Sequence, residues 1–128
     1  MSTLHFKDSE FVVTFTGMPN NLPDCYVERR DQIFAKLEQL RSVNNGRPIR
    51  INSGYRSKEV NAAVGGVSLS AHCSAKAVDI TCGSKSLNKR LFCSLVNYIE
   101  FHKCIVEKDF SWLHVEFLGS DKRISFID

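Results

Sequence analysis

The sequence has no apolar run long enough to cross a membrane, so a membrane-spanning protein is not expected. Its first residues also lack the basic segment followed by an apolar segment that is typical of a secretory signal peptide. Internal repeats, linkers and low-complexity segments are absent as well. These absences predict a single globular domain, residues 1–128, that is cytoplasmic when it is synthesised.

The chain also lacks a strong excess of charge of either sign. Its 17 basic and 14 acidic residues give a formal net charge of +3. This charge is too small to indicate nucleic-acid binding, although a slightly basic surface would not repel an anionic polymer. We therefore expect neither nucleic acid nor a membrane as a partner.

The cysteines do not form any familiar pattern. There are five, an odd number, and none of them belongs to a C-x-x-C pair. Without an export signal, reduced and buried thiols are expected. Cys73 is adjacent to His72, but neighbours in a strand or tight loop point to opposite sides, so Cys73 is not favoured as a metal ligand. Cys73 and Cys82 together with the histidines also lack the spacing of a structural zinc site.

Three residues carry side chains that bind metals well: His72, Asp79 and His114. On one helix, His72 and Asp79 would be about 10 Å apart, too far to share an ion. Residues 77–80 instead resemble a strand, and residues 68–72 a loop that returns His72 over it. Residues 112–117 alternate, which places His114 on a second strand. Two imidazoles and a carboxylate would suit zinc and leave its fourth position open.

The remaining pattern predicts an α+β fold, with a small antiparallel sheet and helices packed mainly on one face. Phe6, Phe11 and Phe15 suggest a turn of helix followed by an extended arm packed on the core. The predicted helices are Cys25–Asn44 with Asp24 as N-cap, Ser57–Val64 with Ser57 as N-cap, and Ser86–Phe101 with Leu87, Leu91, Leu95, Tyr98 and Ile99 as its apolar stripe. The predicted strands are Arg47–Ser53, the strand with Asp79, a hairpin of Cys104–Val106 and Ser111–Leu118, and an edge strand at Ile124–Ile127.

Several linked motifs between Arg47 and Phe117 resemble the zinc D-alanyl-D-alanine peptidase family, peptidase M15. Its relatives include phage endolysin peptidases and the Hedgehog signalling domain. The motifs are Ser53-Gly54-Tyr55-Arg56-Ser57, then Ser70-x-His72-x-x-Ala75-x-Ala77-x-Asp79, then Trp112-x-His114. The resemblance implies a Hedgehog/DD-peptidase-like fold and one zinc ion per chain.

The same resemblance implies an activity. The protein would be a zinc metallopeptidase that hydrolyses peptidoglycan stem peptides by metal-activated water. It would act as a D-Ala-D-Ala carboxypeptidase or as an L-Ala-D-Glu-type endopeptidase. A phage-lysin-like member would be a monomer that reaches the cell wall after release from the cytoplasm. Two alternatives stay open: a catalytically inactive zinc-binding module for the cell wall or for another protein, and a metal-free structural domain.

The resemblance to this family also suggests residues that contact the substrate. Arg56 would hold a substrate carboxylate or carbonyl, since a planar guanidinium forms two parallel hydrogen bonds. Ser70 would orient the ligand loop or the substrate, or serve only as a turn residue. Trp112 lies two residues before His114 and would form a pocket wall on the same strand face. Ala75 stands where the family usually has glycine, so its methyl group would crowd the His72 loop or require a negative φ.

The general base is the least determined residue. Many family members carry a carboxylate three residues before the last histidine, but Ser111 occupies that position and cannot replace it. Hedgehog-like members instead place a glutamate at the end of the preceding strand, which corresponds here to Glu107. A hairpin would fold Glu107 beside the face that carries His114. Asp109 on the turn is the second candidate and Glu116 the third.

Overall fold

The computed structural model describes all 128 residues and has an α+β architecture, as the sequence predicts. The helices are α1 (Val27–Val43), α2 (Lys58–Ala63) and α3 (Lys85–Tyr98). The strands are β1 (Arg50–Ser53), β2 (Ala77–Thr81), β3 (Lys103–Glu107), β4 (Trp112–Glu116) and β5 (Arg123–Ile127). Three 3₁₀ turns cover Asp8–Val12, Asp24–Tyr26 and Ala71–Ser74. None of the helices combines the length and the apolar character needed to span a membrane.

The five strands form one sheet in the order β1-β2-β4-β3-β5. The pairs β1–β2, β2–β4 and β3–β4 are antiparallel, as predicted, and β3–β4 is the predicted hairpin. The edge strand β5 also forms, but it is parallel to β3, so the sheet is mixed rather than purely antiparallel. Because β4 ends beside the start of β3, residues 117–122 need only cross that end of the sheet to start β5 in the direction of β3.

One hydrophobic core of 21 buried residues lies between the sheet and the helices. Helix α1 buries Ile33, Phe34, Leu37 and Leu40 completely, the stripe expected from its spacing. Strands β2 and β4 contribute Val78, Ile80, Leu113 and Val115. Since side chains alternate along a strand, Asp79 and His114 lie on the opposite face of the sheet, which we call the site face.

Several local predictions need correction. Asp24 starts a 3₁₀ turn, and Tyr26 rather than Asp24 occupies the N-cap position of α1. Phe6 and Phe11 are buried, but Phe15 is 93% exposed. Tyr98 is 70% exposed, because α3 ends there and its apolar face is completed by Leu91 and Leu95 instead.

The five cysteines form no disulfide, in agreement with the expectation of reduced thiols. Only Cys104 is buried, however, and burial raises the pKa of its thiol to about 12. Cys25 and Cys93 are exposed, so the prediction that the thiols are buried was wrong for them.

Candidate metal centre

The sheet brings two of the predicted ligands together directly. Asp79 of β2 and His114 of β4 are opposite each other in the antiparallel register, and both side chains point to the site face. The 3₁₀ turn Ala71–Ser74 supplies His72 above β2. One ligand atom from each of the three side chains lies within 4.8 Å of the other two, which is close enough to hold one metal ion.

The aspartate is the centre of this group. Its Oδ1 lies 3.2 Å from Nε2 of His72 and 3.1 Å from Nδ1 of His114. All three side chains are largely buried, with 3% to 11% of their surface exposed. Cys73 does not belong to the group, as its position next to His72 predicted.

The outer nitrogen of each imidazole is also hydrogen-bonded. Nδ1 of His72 lies 2.7 Å from the Gly54 carbonyl oxygen, and Nε2 of His114 lies 2.9 Å from Oε2 of Glu116. Both partners are acceptors, so the outer nitrogens carry the protons. In the neutral imidazoles, the inner nitrogens then present lone pairs toward the Asp79 carboxylate.

Three acceptors that converge in a buried site repel one another unless a cation or protons lie between them. Two neutral imidazoles and one carboxylate are a donor set that zinc accepts, and the fourth position of a tetrahedral ion would stay free. The hydrogen bonds to the outer nitrogens fix the tautomers that this binding requires. The residues therefore fit the predicted zinc ion, with His72, Asp79 and His114 as its ligands.

Without a metal, protons take its place. Burial by itself would lower the pKa of His114, but the hydrogen bonds to Asp79 and Glu116 outweigh burial and raise the pKa to about 9. Burial opposes ionisation of Asp79, yet the hydrogen bonds from His114 and His72 hold the pKa of its carboxyl well below the usual range. The hydrogen bond from His114 likewise lowers the pKa of Glu116. The site thus attracts positive charge at neutral pH.

The turn that carries His72 is fixed by its flanking residues. Oγ of Ser70 accepts a hydrogen bond of 3.2 Å from the His72 main-chain N–H, which gives Ser70 the role of a turn cap. The N–H of Arg56 donates to the His72 carbonyl at 3.1 Å.

Ala75 ends this turn in the left-handed conformation, with φ of 57° and ψ of 35°. Its methyl group is completely buried in the hydrophobic core. The alternative that alanine would need a negative φ was therefore wrong. The turn keeps the conformation that favours glycine and accommodates the methyl group in the core.

Arg56 lies beside the candidate metal ligands and is held by three side chains. Its Nη2 is 3.3 Å from Oδ2 of Asp79, its Nε donates to Oγ of Ser53 at 3.0 Å, and its Nη1 donates to Oδ1 of Asn61 at 3.2 Å. The pair with Asp79 leaves Oδ1 of that carboxylate for the two imidazoles. Arg56 therefore orients Asp79, the central candidate ligand, through a contact that the sequence motif did not predict.

The three candidate bases have different environments. Glu107 is opposite Trp112 in the β3–β4 register, which places it on the site face, and it makes no hydrogen bond or ion pair with another side chain. Asp109 lies on the turn, and its carboxylate is 3.6 Å from Nζ of Lys85 at the start of α3. Glu116 is bound to His114. Of the three, only Glu107 both lies on the site face and makes no hydrogen bond or ion pair with another side chain.

Trp112, Lys108 and Ser111 are close in sequence to these candidate bases. Trp112 is half-buried on the site face, two residues from His114. The Lys108 ammonium lies 5.6 Å from the centre of the Trp112 ring. Oγ of Ser111 donates to the Lys108 carbonyl at 2.7 Å, so this serine closes the turn.

The sequence prediction missed the partners of the imidazoles. Glu116 entered it only as a third candidate base, whereas the structure shows that it binds the outer nitrogen of His114. The alternation Trp112-x-His114-x-Glu116 already places the two side chains on one strand face and is the signal for this contact. The contact of His72 with the Gly54 carbonyl leaves no comparable signal in the sequence, because every residue has a main-chain carbonyl group.

Comparison with known proteins agrees with this geometry. The family described as Peptidase M15 matches residues 4–116. A zinc D-Ala-D-Ala carboxypeptidase of Streptomyces albus G is 36% identical over 67 residues. That alignment covers 52% of this chain and 24% of the relative, so the chain spans about a quarter of the length of the Streptomyces protein. The match over most of the chain confirms the resemblance, and the protein belongs to the peptidase M15 family.

Proposed function

We propose that this protein is a zinc-dependent peptidase that hydrolyses peptidoglycan stem peptides. The observation that carries the proposal is the convergence of His72, Asp79 and His114 with both imidazoles held in the ligating tautomer. The family supports a peptidase, and the Streptomyces relative supports zinc and a D-Ala-D-Ala substrate. Both a D-Ala-D-Ala carboxypeptidase and an L-Ala-D-Glu-type endopeptidase are consistent with this support.

The metal and the base have separate roles in this proposal. A bound zinc ion supplies Lewis acidity, which polarises a carbonyl and lowers the pKa of water toward about 7. The Glu107 carboxylate takes a proton from the attacking water and returns it to the leaving amine. Its position on the site face, free of other side-chain partners, supports this role.

Arg56 and Trp112 are proposed to position the substrate. The guanidinium has five N–H donors, and three protein side chains occupy one on each nitrogen. The remaining donors on Nη1 and Nη2 are available to a substrate carboxylate or carbonyl. Trp112 walls the site on the β4 side. For Ser70, the hydrogen bond to the His72 N–H supports orientation of the ligand turn more than contact with substrate.

The protein is proposed to work as a monomer on the cell wall, without nucleic acid or membrane. Its slightly basic balance, +3, is compatible with an anionic wall polymer.

The test combines zinc content with fragment analysis of purified murein. Wild-type protein should contain one zinc ion per chain, and mass spectrometry of the released fragments should show new termini that identify the bond. His72→Ala should lose zinc and activity while its circular dichroism spectrum stays folded. Cys73→Ser, a change at the neighbouring residue, should keep both.

Equal zinc in the wild-type and His72→Ala proteins would refute the ligand assignment. Zinc binding without release of any murein fragment would instead favour the catalytically inactive binding module.

A further inference from the structure

A cleft of about 660 Å³ follows the outer edge of β1. One wall is the segment from Ser9 to Phe15, and the other includes Arg50, Ile51 and Asn52. Side chains of consecutive strand residues point to opposite faces of a sheet. A cleft lined by three consecutive residues must therefore run along the main chain of the strand rather than over one face.

The main chain of β1 makes no backbone hydrogen bond on this side, although the 3₁₀ turn Asp8–Val12 packs nearby. Strand β1 is the first in the sheet order, and its only strand partner is β2. Outside that pairing, none of the N–H or C=O groups of Arg50–Ser53 forms a backbone hydrogen bond. The N-terminal wall approaches without pairing, since its bond to this region joins the Tyr55 N–H to the Phe11 carbonyl at 2.7 Å. The edge can thus accept another extended chain.

The cleft continues toward the candidate metal centre as far as Arg56. A second cleft of about 250 Å³ shares Val13, Phe15 and Asn52 with the first and extends to Ser53 and Arg56. Ser53 is paired with Asp79 in the β1–β2 register, and Arg56 touches the Asp79 carboxylate. The two clefts therefore form one groove that runs from the edge of β1 to Arg56, the residue in contact with the candidate ligand Asp79.

Exposed apolar side chains line this groove. Phe15 is 93% exposed and borders both clefts, and Val64, 52% exposed, also borders the second. Neither belongs to the hydrophobic core. Apolar side chains gathered at a concave surface are typical of ligand-binding sites.

We propose that this groove binds the stem peptide as an extended chain that pairs with β1, and that Phe15 packs against the peptide. The proposal rests on the proposed function and extends it from the scissile bond to the rest of the substrate. An unpaired strand edge offers main-chain donors and acceptors that match another peptide, which favours peptide over the glycan as the occupant. The four residues of β1 correspond to roughly 13 Å of extended chain, about four peptide residues.

Amide chemical shifts of the zinc-loaded, ¹⁵N-labelled protein test the position of the peptide. A soluble stem pentapeptide ending in D-Ala-D-Ala should shift the amides of Arg50, Ile51 and Asn52. An acyl-D-Ala-D-Ala dipeptide, which is too short to span the groove, should shift only amides near Arg56 and the ligands. A pentapeptide with N-methylated internal amides should bind more weakly, because it has lost donors to the strand.

Phe15→Ala tests the contribution of the side chain. It should weaken binding of the pentapeptide by roughly tenfold through lost apolar contact and leave binding of the dipeptide unchanged. Tyr98→Ala removes another exposed aromatic residue, one that does not line the groove, and should change neither affinity. Because Phe15 is outside the core, its replacement should leave folding intact.

The outcomes separate this proposal from the proposed function. Hydrolysis of murein without shifts at Arg50–Asn52, or with pentapeptide affinity unchanged in Phe15→Ala, would overturn the groove and leave the peptidase. Shifts at β1 without hydrolysis would support the groove and refute the activity. Shifts at β1 with a murein disaccharide but not with the pentapeptide would assign the groove to glycan and overturn the peptide assignment.

Discussion

At the scale of single residues, His114 lies between two carboxylates that act on it differently. Asp79 faces the inner nitrogen, where a metal would bind, and Glu116 holds the outer nitrogen at 2.9 Å. An anionic partner on the outer nitrogen makes the imidazole a stronger ligand and fixes its orientation. This contact supports a positioning role for Glu116 and leaves Glu107 as the proposed general base.

Glu116→Gln should reduce zinc affinity by roughly 10-fold or more, because the hydrogen bond would remain but its negative charge would be lost. Competition with a chromogenic chelator measures the change. Glu100→Gln, at an exposed glutamate outside the site, serves as the matched control and should bind zinc normally. An unchanged zinc affinity in Glu116→Gln would show that this contact does not tune the ligand.

Zinc and protons should compete for His114. Its pKa of about 9 in the metal-free protein means that the imidazole is protonated at pH 7, whereas zinc needs the neutral form. Zinc affinity should therefore rise by about tenfold per pH unit between pH 7 and 9 and then level off. Calorimetry in buffers of different ionisation enthalpy should detect about one proton released per zinc at pH 7. Zinc binding without proton release would contradict the raised pKa.

The raised pKa of His114 also makes the stability of the metal-free protein depend on pH. Because the folded pKa of His114 lies above the unfolded value of 6.5, its contribution to stability is complete below pH 6.5 and is lost as the pH rises through about 9.

Glu107→Gln should lower kcat by roughly 100-fold or more without loss of zinc or fold, since it removes the proton acceptor and nearly preserves the shape. Hydrolysis of purified murein measures the effect, with zinc content determined in parallel. Asp109→Asn is the control, because that carboxylate is paired with Lys85. Near-normal turnover in Glu107→Gln together with loss in Asp109→Asn would move the role to Asp109.

At the scale of elements, the turn Ala71–Ser74 sets the position of His72 through a left-handed alanine. Ala75→Gly should change the free energy of unfolding by less than about 1 kcal/mol. Relief of left-handed strain, about 1 kcal/mol, nearly cancels the loss of a buried methyl group, about 0.8 kcal/mol. Urea unfolding of the metal-free protein measures the difference.

Ala75→Val provides the contrast at the same position. A β-branched residue suits neither the left-handed conformation nor a site without free space, so stability should fall by about 2 kcal/mol or more. Equal stability of the valine and glycine variants would show that the turn is not held in this conformation.

The elements also show which patterns could be read from the sequence. The alternation of residues 112–117 correctly placed His114 on a strand, because burial on one face imposes a period of two. The apolar stripe of α1 was equally clear. The exposure of Phe15 could not be predicted, since a pattern of apolar residues does not distinguish a core position from the wall of a groove.

At the scale of the whole molecule, the meeting of Asp79 and His114 came from the family motifs and not from any local pattern. The two residues are 35 positions apart, and strand register depends on contacts that no single segment contains. The parallel direction of β5 was likewise undetermined, because a short strand pattern is the same in either direction. The resemblance to the family predicted which distant residues meet, and the alternation of residues predicted which side chains share a strand face.

The strand order has a consequence for synthesis on the ribosome. Strand β4 lies between β2 and β3, yet it emerges after both. Until it emerges, β2 and β3 each have an open edge in the nascent chain, a state that favours mispairing with other chains. When β4 fills the gap, it pairs with both neighbours and brings His114 opposite Asp79. Filling of this gap and completion of the candidate metal site are therefore one event, and a nascent chain that ends before β4 would lack the third candidate ligand, His114.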